Sequence, residues 1–292
     1  MQTLLANPAI QSAVAPFIVA LLVALLLRRF ETIGLGLAII AGLLTTVMLT
    51  TGLTLQPLTS TRKIIVSSLC LPFTVLLVER IVAGLPTVTA RLQHVVRVMV
   101  PTLFLMAAAC WVIWPVLTRQ GLAEGWPMLL RVGGYAGIIG AVFLCLAQWK
   151  SAEKSAAQGM SALMLAIGTG VTCLIAATAL YAQLAFAIAA SVGSVMVLSL
   201  FTQTRNGVGH VTSFGMFAAA VPLALFGAAA TVYAQLPPWV LPCLVFIPLF
   251  AGSTKSWLTK PWQQLIFTGV IAFLPVIPAS GLAWRAAGPI SF

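Results

Sequence analysis

The chain has 292 residues, of which 61% are hydrophobic and 7% charged, against roughly 25% charged in a soluble domain. So few charges cannot cover a water-facing surface, which excludes a soluble globular protein and leaves lipid as the solvent. The formal net charge of +11 sets 15 Lys and Arg against four Glu and no Asp, but the cations are scattered in ones and twos; a nucleic-acid face needs a cluster or stripe, so the expected partner is anionic membrane lipid and not nucleic acid.

In chain order, the apolar stretch Ala13 to Leu27 ends at Arg28-Arg29 and lacks a positive leader, so it reads as a first membrane span and not as a signal peptide. A helix needs about 20 apolar residues to cross the hydrocarbon core. Breaks at charges, prolines and polar clusters give ten spans, near 8–27, 32–53, 64–85, 96–117, 132–149, 159–180, 183–203, 211–232, 239–253 and 263–283. The third carries Glu79-Arg80 near its end, and the ninth is short and follows Pro237-Pro238; losing either leaves nine. The expectation is an all-α, polytopic transmembrane helical bundle, with 1–292 forming a single integral membrane domain and no soluble domain. The Ala/Leu-rich composition suggests a multi-pass protein of a bacterial cytoplasmic (inner) membrane.

Basic residues orient such a chain. With the N-terminus outside, the odd-numbered loops hold ten of the 15 cations, among them Arg28, Arg29, Arg91, Arg97, Lys150, Lys154, Lys255 and Lys260. Arg91, His94 and Arg97 are three apart, so they share a helical face beside Leu92, Val95 and Val96; this predicts a short interfacial helix touching anionic lipid. Trp257 and Trp262 stand among Lys255 and Lys260, the composition of a membrane interface.

Residues 174–185 read LIAATALYAQLA and 225–236 read LFGAAATVYAQL. Both are expected to end an apolar helix and turn at once, which makes 159–203 and 211–253 related helical hairpins with Tyr181 and Tyr233 at the same interface. Gly34, Ala38, Ala41 and Thr45, then Gly168 and Thr172, then Ala187, Ser191 and Ser194 have the spacing of helix-packing faces.

Chemistry is sparse. Cys70, Cys110, Cys145, Cys173 and Cys243 all lie in apolar runs, with no C-x-x-C pair, so they read as small core hydrophobes and neither a disulfide framework nor a metal site is expected. His94 and His210 fall in loops and do not form a haem or zinc ligand set. No Walker motif, H-E-x-x-H or Ser/His/Asp set is present, so no enzyme and no cofactor is expected. Glu79 is the one acidic residue placed within a span, and an ionisable group there is a functional candidate. In span ten Pro275 and Pro278 remove two backbone donors, freeing the carbonyls of Ile271 and Leu274. Those carbonyls need donors within lipid, and Ser280 or water in a polar cavity could supply them. The favoured reading is a transporter or permease-like protein for a neutral or apolar solute, its site at Pro275, Pro278, Ser280 and Glu79. The alternative is a non-catalytic membrane subunit that stabilises or docks a larger complex, packed against other subunits or itself.

Overall fold

The computed structural model describes residues 7–52, 56–84, 89–120, 122–149, 152–202, 211–234, 236–254 and 260–288. Among them every regular element is helical. Eight helices are long and apolar enough to cross a membrane, and two more, Ile10–Leu26 and Val240–Ser253, are apolar but shorter. In order these are α1 (Ile10–Leu26), α2 (Glu31–Thr50), α3 (Ser60–Ala83), α4 (Ala90–Gln120), α5 (Leu122–Ala147), α6 (Ala152–Ile175), α7 (Ala179–Thr202), α8 (Ser213–Tyr233) and α9 (Val240–Ser253). The tenth, α10, has two halves, Pro261–Phe273 and Val276–Ala287. The protein is an all-α, multi-pass membrane bundle.

Proline explains the irregular helices. Pro72 follows a bend at Leu71 within α3, and Pro16 follows a π-turn at Ile10–Val14 in α1, since each ring removes an amide donor from the helical ladder. Pro101 and Pro115 lie inside α4 and Pro222 inside α8.

The bundle is built around α8, which is buried without interruption from Phe214 to Ala230 and packs against α2, α3, α4, α5, α6 and α7. Its Gly/Ala-rich sequence allows this, because small residues let helix backbones approach where lipid supplies no hydrophobic drive. At the α2 crossing a Cβ on Gly36 would stand 3.2 Å from the Cα of Gly215. A second hub, α6, takes α7 on one side and α9 and α10 on another. Ala38, Gly168, Thr172, Ala187, Ser191 and Ser194 are all buried, Ala38 against Ala20, Ala24 and Val195 of α1 and α7, whereas Ala41 and Thr45 are half-buried.

Two boundaries differ from the sequence reading. Residues 91–97 do not form a separate interfacial helix; they are the first turns of α4, continuous to Gln120. The sixth helix stops at Ile175, so Tyr181 lies in the first turn of α7 whereas Tyr233 ends α8. The two Tyr-Ala-Gln-Leu segments therefore occupy different positions on their helices. The cause is local: the Thr178 amide donates to Cys173 O at 2.9 Å and the Ala177 amide to Leu174 O at 3.1 Å, with Ala177 at φ 58°. This is a Schellman closure with alanine where glycine is usual.

Candidate functional site

The break in α10 falls at Leu274–Pro275, where the sequence places it. Its backbone heals differently from expectation. The Leu274 amide donates to Ile271 O at 3.3 Å and the Ile277 amide to Leu274 O at 3.3 Å. Tightening to i→i+3 bonds thus gives both freed carbonyls a donor within their own helix. Ser280 takes no part; its hydroxyl donates to Ile277 O at 2.9 Å. The kink opens a groove of about 360 Å³ between α9 and α10, lined by Cys243, Phe246, Phe250, Leu274, Pro275 and Pro278. Phe246 and Phe250 meet edge to face, 6.3 Å between centroids, and Phe246 and Leu274 stay exposed on the outer surface of the bundle. The expected wet, polar surroundings give way to an apolar groove open towards lipid.

A second constellation was not anticipated. Pro115 cannot donate to the Trp111 carbonyl, four residues earlier in α4. Lys63, in the first turns of α3, supplies the missing donor: its ammonium donates to Trp111 O at 3.0 Å and lies 5.1 Å from the Trp111 ring centroid. One residue on, Val112 O accepts from the Tyr233 hydroxyl at 3.0 Å, and Ser60 donates to that hydroxyl at 2.8 Å. Tyr181 joins the same end, stacked on Phe226 at 5.7 Å and facing the Thr61 side chain. Lys63 is only 7% exposed, although the sequence places it at a span end. The legible signal was Pro115 near the end of the fourth apolar run, which frees a carbonyl one turn back within that run that some donor must reach.

The opposite end of α8 is held by one residue. Gln158, 0% exposed in α6, donates to Leu146 O at 2.9 Å and Trp149 O at 3.0 Å, and accepts from the Val211 amide at 3.2 Å. It joins the end of α5 to the start of α8, pairing terminal carbonyls and an amide that a helix cannot satisfy by itself. Midway along α8 the Tyr135 hydroxyl is buried without a hydrogen-bond partner, and a Cβ on Gly227 would meet it at 2.8 Å.

The other sequence candidates are dispersed. Glu79 is half-buried on the second half of α3, and among the described residues no ion pair joins it to Arg80 or Arg97. It belongs to a different helix from the α10 break and does not line the groove. Arg91 and His94 are exposed, Arg97 is half-buried, and Trp262 is exposed at the start of α10. Trp257 and His210 lie outside the described residues. Among those residues no three His, Cys, Asp or Glu side chains group to hold a metal ion. The chain matches no protein-family model and no curated protein.

Proposed function

We propose that the protein is permease-like and handles a neutral, apolar solute taken from the bilayer at the α9–α10 groove. The observation that carries this reading is the groove itself: a proline-broken helix, aromatic walls and a mouth open towards lipid. Its volume stands at the lower end of the roughly 300–1,000 Å³ of small-molecule sites. Broken helices are a recurrent element of transport sites, and an apolar cargo needs no charged residue in the wall. The reading includes a bacterial cytoplasmic membrane with the N-terminus outside, supported by the asymmetry of basic residues. The test is photocrosslinking by a diazirine-bearing fatty alcohol, with and without Phe246→Trp and Phe250→Trp to fill the groove. Labelling should concentrate on α9 and α10 and fall in the filled variants. Labelling spread evenly over the exposed face of α1 and unchanged by filling refutes the proposal.

A second reading, a non-catalytic subunit of a larger complex, has its own support: α8 is buried from Phe214 to Ala230 and clamped at both ends, as suits a fixed scaffold. Under that reading the protein co-purifies with constant partners and aggregates without them. Under the first it stays monodisperse alone.

A further inference from the structure

We propose that the start of α4 binds one anionic glycerophospholipid, its phosphodiester held by Arg97 and Arg91. At about 1.5 Å per residue, the 31 residues of α4 extend well beyond the roughly 30 Å hydrocarbon core. Its first turns therefore project to headgroup depth. Arg91, His94 and Arg97 succeed one another three residues apart, on one side of these turns. Arg97 is half-buried, and its Nε is enclosed with no hydrogen-bond partner. A half-buried guanidinium without a counter-charge is costly, and the nearest carboxylate in sequence on the packed neighbour α3, Glu79, forms no ion pair with it. A phosphodiester supplies what is missing, because its oxygens match the guanidinium fork. Beyond Arg97, exposed Met99, Leu103 and Phe104 follow along the same helix, where acyl chains would lie below such a headgroup. Arg80, exposed on α3, adds positive charge beside this corner. Charge and apolar surface in this order fit a lipid and not a soluble anion.

The test uses the full chain in neutral detergent, supplemented with phosphatidylglycerol, phosphatidylcholine or inorganic phosphate. Native mass spectrometry reads retained lipid, and thermal unfolding reads stabilisation. Phosphatidylglycerol should be retained and raise the unfolding midpoint, less so at high salt. Arg97→Ala should cut retention about fivefold or more, the scale of one basic residue at an anionic surface. Arg97→Lys keeps the charge without the fork and should fall between; it carries the test where Arg97→Ala fails to fold. Arg285→Ala, at an exposed arginine near the end of α10, should change nothing. Equal retention of phosphatidylcholine, equal stabilisation by inorganic phosphate, or undiminished phosphatidylglycerol retention in folded Arg97 variants overturns the proposal.

Discussion

The two ends of α8 solve the same problem with different chemistry. At the Tyr233 end Pro115 frees one carbonyl of α4, that of Trp111, and only a donor is needed. Lys63 supplies it directly, while Tyr233, with Ser60 behind it, adds a donor to the neighbouring Val112 carbonyl. At the Gln158 end the groups to be held are of both kinds, carbonyls closing α5 and an amide before α8. An amide side chain carries a donor and an acceptor, so one glutamine joins the two helices where a lysine could not. The kinked end divides its load among separate donors, whereas the other end concentrates it on one residue.

That contrast sets the order of the expected effects. Gln158→Leu removes three hydrogen bonds to the backbone at once, each worth about 0.5–1.5 kcal/mol net, while Leu146 O keeps the Trp149 amide as a donor at 3.1 Å. It should be the most damaging of the changes considered, about 2–4 kcal/mol by reversible unfolding in mixed micelles. A loss below about 1 kcal/mol, the worth of one ordinary hydrogen bond, would mean that the Gln158 end is not a clamp.

Lys63→Met removes one charge-assisted bond, worth about 1.5–3 kcal/mol. Its dependence on Pro115 is more telling. Pro115→Ala restores the Trp111 carbonyl's own helical partner, so the cost of Lys63→Met should shrink in that background. A double-mutant cycle measures the coupling; strictly additive losses would show that Lys63 does not cap the kink.

Midway between the ends, Gly227→Ala drives a methyl against Tyr135 and should destabilise by about 1–3 kcal/mol, the cost of overpacking. Tyr135→Phe deletes the clashing, unpartnered hydroxyl. Alone it should be neutral or mildly stabilising, and combined with Gly227→Ala it should recover part of the loss. Clear destabilisation by Tyr135→Phe alone would point instead to a polar partner at that hydroxyl.

The smallest effect belongs to the α6–α7 turn that positions Tyr181. Ala177→Gly relieves a left-handed conformation that costs an L-residue about 1–2 kcal/mol, offset by the greater freedom of glycine in the unfolded chain. The net gain should be below about 1 kcal/mol, and Ala177→Val should lose stability in the same thermal assay. The opposite ranking would show that the closure at Cys173–Thr178 is not what ends α6.

Much of the architecture was legible in the sequence because lipid makes severe demands. A span must be apolar over some twenty residues, and its ends show as charges, prolines and polar clusters. All ten stretches are helices; eight, the third included, are long and apolar enough to cross a membrane, and the first and ninth are shorter. Boundaries were less legible where a helix outruns the hydrocarbon: polarity at Arg91, His94 and Arg97 reads as a separate segment, yet backbone hydrogen bonds carry α4 straight through it. The break in α10 was visible in Pro275 and Pro278, but its surroundings were not. Whether freed carbonyls face water, a side chain or their own helix depends on neighbours that sequence spacing does not specify.

The sequence by itself determined the solvent, the helical class, the spans and the points where proline must interrupt the backbone. These follow from local covalent geometry and from the cost of an unpaired peptide group in lipid. Only the tertiary structure decided which donor answers each interruption. Lys63 reaches a carbonyl 48 residues away, while Ile271 and Leu274 are answered within their own turn. It also made α8 the axis of the bundle: apolar composition qualifies every span for lipid, and only packing against six neighbours removes this one from it.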